Sequence, residues 1–449
     1  MSSKGIDFFS TIHGLPDLQV RTRLRVVHSN GSELTFTSHQ DPHQRGHLEV
    51  DSGGLSIFES SKEVRLTVEA EGEVVGYTQL IDTRWPKLND GPFSNTYTTP
   101  SGIFQTIGGR IGVSYGFGDN SGHDGVSSVV YVTVTPEYSG WMGQLVAAHP
   151  ELADRPFSDI VLPGAHNAGM TQPGGQAVHE VNVLRDNDVL PLPKIIPNFV
   201  ARDLIATATI NSAFTQKDDL ETMLALGIRF FDFRPGVFQG NPTLRHVHNV
   251  VPGQGLLRFL QTLLQWLRDH PTEIAVVKLS NSGVDAAALP AEGAVERCVQ
   301  DAFRTAVVDR GDATDLTRTT SELLHSRKRL LVIGNDHCYG SWNNTYRTTD
   351  PQIVLDALKK MTASGQDGMD HTVMELQTSG TDDGVKTGAK NTAAGELIKM
   401  KPYFGSVLYP WVRQDAATAF PSGTLVLSDD FADGALTRLA IDVTTSRLK

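Results

Sequence analysis

Chemistry-bearing residues recur in this chain at the ends of short apolar runs. VLPGAHNAGM, residues 161–170, leads through apolar and turn residues into His166 and Asn167. FFDFR sets Asp232 and Arg234 two apart, LRHVH sets His246 and His248 two apart, and VVKLS does the same with Lys278 and Ser280. LVLSDD closes on Ser428, Asp429 and Asp430. A spacing of two along a strand puts both side chains on one face. Such groups are expensive to bury without a purpose. Together they support phosphoryl transfer to an internal hydroxyl. One histidine takes the proton of the nucleophile and a second donates one to the leaving oxygen, each role contributing about 10²–10⁴-fold. A carboxylate orients each ring. The arginine fork holds the phosphoryl oxygens where negative charge accumulates, a task otherwise given to a divalent cation.

Each residue taken singly also has a structural reading. His166 can be a satisfied core histidine, Asp232 and Arg234 a structural ion pair, and Lys278 a stem lying along an apolar edge. His270 ends a helix, where a cation suits the dipole. His123 sits in a Gly/Asp turn and reads as a loop residue. The functional reading rests on convergence, so the elements that position these groups decide the matter.

Residues 137–449 alternate strands and helices. DIVLPGAHNAG, IRFFDF, TLRHVHN, EIAVVKLS, RLLVIGND, HTVMELQT and GTLVLSDDF read as strands. LETMLALG reads as a helix stopped by Gly227, and LLRFLQTLLQWLRDHP as an amphipathic helix stopped by Pro271. The expectation is a parallel sheet, open or closed into a barrel, with the chemistry at its C-terminal face. Residues 171–216 are long for a connection and contain the apolar, Pro-rich VLPLPKIIPNFVARDLI, either a packed extension or a rim that touches lipid. Residues 1–136 are different. VRLTV alternates, SSVVYVTVTP is β-branched, and NDGPFSN and FGDNSGHDG are turns. That pattern predicts an all-β, sandwich-like domain or small barrel, with no catalytic grouping of its own.

A length of 449 residues favours two domains, and a net charge of −12 excludes a nucleic-acid partner that needs a basic face. No apolar run has membrane-span length, and MSSKGIDFFSTIHG lacks the apolar region of a secretory signal. The two cysteines, Cys298 and Cys338, make neither a disulfide framework nor a metal spacing. The expected location is cytoplasmic or peripheral on a membrane.

With these residues in place the chain resembles the X-type catalytic domain of phosphatidylinositol-specific phospholipases C, in its bacterial-like form. The carrying stretches are SGWMGQL, VLPGAHNAGM, LETMLALGIRFFDFRPG, TLRHVHN and WLRDHPTEIAVVKLS, in order over residues 139–280. The likeness thins from 281 to 420 and leaves out the N-terminal region. It implies a distorted TIM-type (β/α) barrel. It also implies attack by the inositol 2-hydroxyl on phosphorus, releasing diacylglycerol and a cyclic inositol phosphate. On that resemblance His166 is the general base, Arg234 the phosphate ligand and Asp232 the carboxylate beside it. His248 is the general acid, with His246 in reserve. Asp430, followed by Phe431, supports the base in preference to Asp429. Asn167, Lys278 and His246 are candidate substrate-binding groups. The sequence mixes two patterns within the family. His166–Asn167 matches calcium-dependent members, whose Asn is a metal ligand. Arg234 matches the metal-free ones, and a cation there repels calcium. The expectation is therefore no cofactor, with calcium disfavoured. The expected partner is an inositol phospholipid or a soluble phosphodiester, met transiently at a membrane surface. Asn335 and Asp336 stand where bacterial members carry a basic group. Two further readings stand beside this one. The first is a magnesium-dependent glycerophosphodiesterase or sphingomyelinase D-like enzyme, whose Glu-x-Asp pattern Asp232-x-Arg234 does not match. The second is a catalytically silent inositol-phosphate or lipid-binding module.

Overall fold

The structure is a computed structural model. It describes residues 5–27, 33–38, 42–50, 61–82, 100–118, 128–171, 213–238, 241–248, 251–335, 338–340, 348, 350–363, 371–376 and 397–449. His123, Asn249, Asp336 and the apolar stretch 189–205 lie outside them. The chain divides into two compact units, residues 1–137 with 381–406, and residues 138–380 with 407–449.

The first unit is built of β1 (Gly5–Ile12), β2 (Val20–Val26), β3 (Glu33–Thr37), β4 (His43–Glu49), β5 (Ser61–Ala70), β6 (Glu73–Asp82), β7 (Gly102–Thr106), β8 (Gly109–Gly118) and β9 (Ser128–Pro136). They form a five-stranded sheet, β4-β1-β9-β8-β7, and a four-stranded sheet, β3-β2-β5-β6. The alternating strands turn their apolar residues inward. Leu24, Leu66 and Val68 of one sheet and Phe8, Val113 and Val132 of the other belong to one apolar core. Residues 397–406 join this unit because β8 leaves room for them. A Cβ added at Gly116 would come within 2.8 Å of Ile398, and one at Gly118 within 2.6 Å of the Lys399 Cβ. Tyr403 donates its hydroxyl to Asp7 at 2.7 Å. Arg45 and His47 supply the other contacts of that carboxylate, both at 2.8 Å.

The second unit holds an eight-stranded sheet, entirely parallel, in the order β16-β17-β15-β11-β10-β20-β19-β18. Its strands are β10 (Leu162–Ala165), β11 (Phe230–Phe233), β15 (Ala275–Leu279), β16 (Asp309–Gly311), β17 (Lys328–Ile333), β18 (Cys338–Gly340), β19 (His371–Glu375) and β20 (Thr424–Asp429). Among the described residues β16 and β18 are not paired with one another, so the described strands form a parallel α/β sheet without showing the closure of a TIM-type barrel. A correction concerns TLRHVHN. It lies in β13 (Asn241–His248), between β12 (Pro235–Phe238) and β14 (Val251–Gly255), in an antiparallel sheet of three strands. The reason is distance along the chain. Two residues join β12 to β13, which suffices for a hairpin and not for the crossover that a parallel neighbour needs.

Register brings the C-terminal ends of the parallel strands level. Ala165 lies beside Phe231 and Asp429, Asp232 beside Lys278, and Glu375 beside Ser428. Beneath these ends lies an apolar core that includes Phe230, Val276, Leu331 and Val426. The amphipathic helix Leu256–Asp269 buries Phe259, Leu260, Leu263, Leu264 and Leu267. Its last turn is closed by His270, whose ring donates to the Trp266 carbonyl at 2.8 Å and stacks on that indole.

Candidate active site

His166 is the residue immediately after β10, and its backbone N–H donates to the Asp429 carbonyl at 3.1 Å. Its ring is buried between a carboxylate and a guanidinium. Nδ1 lies 2.8 Å from Asp430 Oδ1, and Nε2 lies 3.0 Å from Arg234 Nη2. A guanidinium can only donate, so Nε2 accepts and Nδ1 carries the proton given to Asp430. Burial pushes this imidazole down in pKa. The Asp430 charge and hydrogen bond, with a contribution from Glu375, outweigh that and leave it raised.

Asp232 sits on β11 with its carboxylate between two cations. Arg234 Nε reaches Oδ2 at 3.2 Å, and Lys278 Nζ reaches Oδ1 at 3.0 Å. Burial would raise its pKa, yet Lys278 and then Arg234 hold it far below the usual carboxylate range. Arg234 is covered by the loop after β15. There Gly283 has φ +72°, and a Cβ on it would come 2.8 Å from Nη1, so glycine is needed both for conformation and for clearance.

The two hairpin histidines differ in kind. The His246 ring is wholly buried, with Gly169 and Phe233 against it. Its Nδ1 accepts the Arg234 backbone N–H at 3.1 Å, which leaves the proton on Nε2. Burial, and then Arg234, keep it neutral with a pKa well below the ordinary value. His248 is half-buried, and its Nδ1–H donates to the Ala213 carbonyl at 3.0 Å. Its Nε2 is therefore the atom that takes up and gives off a proton. Burial, and then Arg234, push its pKa down to about 4.

Asn167 has φ +48°, is fully buried, and neither polar atom of its amide has a hydrogen-bond partner among the described residues. The same holds for His246 Nε2 and for the hydroxyls of Ser280 and Ser428. All of these belong to the same rim of strand ends and the adjoining hairpin. Buried polar atoms are almost always paired, so a concentration of unpaired ones marks a place built for a ligand with several polar atoms.

The structure thus brings His166, Asp430, Arg234, Asp232, Lys278 and His246 into one bonded network. Asn167 adjoins it through its backbone N–H, 3.4 Å from Asp232 Oδ2. His248 joins electrostatically, through Arg234 and His166. Asp429 goes elsewhere and accepts the Tyr409 hydroxyl at 2.6 Å. Asn335 is exposed just beyond β17. Sequence reasoning missed Glu375, the buried last residue of β19, whose charge acts on His166. The available signal was a carboxylate directly after the apolar pair Val373 and Met374. It also missed Thr215 and Gln216, which bond to the His166 carbonyl at 3.1 and 2.9 Å, because short polar residues before a helix carry no pattern of their own.

No family model matches the sequence, and no curated protein matches it. Among solved structures, a mutant of the phosphatidylinositol-specific phospholipase C of Staphylococcus aureus is similar at TM-score 0.43 and 14% identity, over 68% of this chain and 96% of that one. The phosphatidylinositol-specific phospholipase C of Listeria monocytogenes is similar at TM-score 0.42 and 13% identity, over 65% and 95%. A calcium-dependent phosphoinositol-specific phospholipase C from a Pseudomonas species is similar at TM-score 0.23 and 11% identity, over 54% and 74%. At these scores the likeness assigns no activity.

Proposed function

We propose that the second unit is a metal-independent phosphodiesterase of the phospholipase C type, acting on an inositol phospholipid or a related phosphodiester with a hydroxyl beside the phosphate. The observation that carries this reading is the His166 ring, fixed by Asp430 with its lone pair at Nε2 and a guanidinium at contact distance. A phosphodiester anion draws Arg234 from His166 Nε2 onto its non-bridging oxygens and frees the base. Nε2 then takes the proton of the substrate hydroxyl. The alkoxide attacks phosphorus, the bond to the leaving oxygen breaks, and a cyclic phosphate forms. His166 leaves this step as an imidazolium held by Asp430, which is the form its raised pKa favours.

His248 Nε2–H protonates the leaving oxygen. With a pKa of about 4 in the free protein it is neutral near pH 7, largely through burial and Arg234. The bound anion offsets the Arg234 charge and adds its own attraction, so substrate raises the acid to working range. Lys278 keeps Asp232 ionised, and Asp232 in turn aligns the Arg234 fork.

Calcium does not fit these groups. Asn167 offers an amide oxygen, but both oxygens of Asp232 already face cations. Among the described residues no three His, Cys, Asp or Glu side chains are disposed to hold a metal ion. The same pairing of Asp232 disfavours the magnesium-dependent alternative. A ligand-binding module without turnover is the second reading, favoured by His248 resting on a carbonyl where a carboxylate would make it a stronger base. No described helix is long and apolar enough to cross a membrane, and a lipid substrate would be met at the surface.

The test is turnover of a soluble inositol phosphodiester, followed by ³¹P NMR with and without chelator. A cyclic phosphate formed at equal rates in both is expected. Binding without any product transfers the protein to the second reading, and activity restored only by calcium or magnesium ends the metal-free mechanism.

A further inference from the structure

We propose that Gln216 is a positioning residue for the His166–Asp430 pair, an inference that rests on the phosphodiesterase reading for its kinetic consequence only. Its carboxamide is buried and reaches both strand-end loops at once. Nε2 donates to the His166 carbonyl at 2.9 Å and to the Asp429 carbonyl at 3.0 Å, while Oε1 accepts the Ala432 N–H at 3.0 Å. One side chain therefore bonds the backbone of the base and the backbone on both sides of Asp430.

The turn that presents Asp430 needs such a tie. Phe431 has φ +52°, a left-handed conformation that is strained for a bulky side chain and kept only where its surroundings hold it. The surroundings that hold it come from the same short segment. Thr215 O accepts the Phe431 N–H at 2.6 Å, and Gln216 N–H donates to the Met170 carbonyl at 3.0 Å. Three residues earlier the Ala213 carbonyl accepts from His248 Nδ1 at 3.0 Å. Residues 213–216 thus bond both proposed proton-transfer histidines without offering a group to the reaction. Gly169 and Met170, in the segment after β10, carry these bonds on to the hairpin, where Gln254 N–H donates to the Gly169 carbonyl at 2.9 Å.

A glutamine meets these demands where similar residues do not. It has two N–H donors and one carbonyl acceptor at the end of two methylenes. Methionine has the length without the polar atoms. Glutamate keeps the shape and an acceptor, but when ionised it turns carboxylate oxygens toward two carbonyls. With the tie removed, Asp430 is free to drift from His166. A displacement on the order of 1 Å can cost about 10²-fold in rate.

The experiment reads the histidine directly. In full-length protein labelled at histidine, the His166 resonance is assigned by its loss in H166Q and titrated by NMR in wild type, Q216M and Q216E, without substrate. The same proteins are assayed on the soluble inositol phosphodiester. In Q216M the His166 titration is expected to move down toward the ordinary imidazole value, because Asp430 is what raises it. The kcat should fall about 10–100-fold with KM within about threefold of wild type. Q216E should lower kcat likewise, while its own negative charge opposes the downward shift of the titration. A cooperatively melting Q216M or Q216E with unchanged titration and kcat within threefold overturns the proposal. Failure of both variants to fold assigns Gln216 to the fold and overturns it as well. If wild-type protein turns over no phosphodiester, the functional reading falls, and the titration still decides the positioning role.

Discussion

Strand β11 carries a buried arginine at each end, and the two could hardly be treated more differently. Arg229, just before the strand, is fully buried. Its Nε and Nη2 meet Glu273 at 3.0 and 2.7 Å, its other protons go to the carbonyls of Leu224, Ile228, Tyr138 and Ser139, and its plane lies 4.5 Å from the Trp266 ring. Glu273 also accepts from the backbone of Gly143 at 3.1 Å. Arg234, just past the strand, contacts a carboxylate and an imidazole that can let go of it, beside an amide, hydroxyls and a ring N–H with no partner among the described residues. A network saturated by its own chain has nothing left to offer a ligand. One left short by several bonds is stable only because the rest of the unit pays that cost, and it is shaped for something that completes it.

Removing a member from each end should therefore give opposite results. At the open end, His166→Gln should lower kcat by about 10³-fold or more, equivalent to about 4 kcal/mol of transition-state stabilisation, with little change in thermal midpoint. Retention of most activity would dismiss His166 as the base. At the saturated end, Glu273→Ala strands the Arg229 charge in the interior and should destabilise the unit by about 3–5 kcal/mol. Turnover per folded molecule should stay as in wild type. Urea unfolding followed by assay of the folded fraction separates the two, and a large kcat loss in folded Glu273→Ala would erase the distinction between the ends.

A finer cut is Arg234→Lys. Lysine keeps the charge but not the fork, so it cannot hold Asp232 and two phosphoryl oxygens in one plane. A loss of about 10²-fold in kcat is expected, with the rate still indifferent to chelator. A substitution without effect would mean that charge alone suffices and that the alignment of the fork by Asp232 is irrelevant.

What the sequence disclosed about these two ends differs for a physical reason. The open end was legible because it breaks patterns: His, Asp, Arg and Lys interrupt apolar strands, and a spacing of two places them on one face. Arg229 and Glu273 also lie next to strands, but their partners are mostly backbone carbonyls and amides, which leave no mark on residue type. Gln216 went unseen on the same ground. The strand-helix alternation was readable from periodicity, whereas closure of the sheet was not, since periodicity reports which face of a strand is apolar and not what lies at the sheet edge. The β12–β13 hairpin could have been read. GNP breaks the run between Phe238 and Thr243, and too few residues separate the strands for a crossover. Treating every apolar run as one more parallel strand hid it.

The smallest predicted effect lies in the acid response of the open end. His248 has a folded pKa of about 4, against about 6.5 for an unfolded histidine, and His246 is depressed as well. Between the folded and unfolded values the unfolded chain binds protons that the folded one refuses, so stability must fall as pH drops below about 6.5, and the His248 share of that fall is complete near 4. His166 acts with the opposite sign. Its raised pKa contributes stability that is whole below about 6.5 and fades as pH rises through the folded value. Asp232, held low, contributes above about 3.9 and loses its share only in stronger acid. Thermal midpoints from pH 7 to 4.5 should therefore fall. Replacing His248 by Gln, which cannot charge, should flatten the slope by about 1–2 kcal/mol, a figure reduced because the ring keeps some contact with solvent. Glu273→Ala, by contrast, should lower the whole curve, because it strands the Arg229 charge at every pH. An unchanged slope in His248→Gln would mean that this ring charges freely in the folded protein. Arg234 would then not be close enough to hold it neutral, and the proposed acid would have to be sought elsewhere.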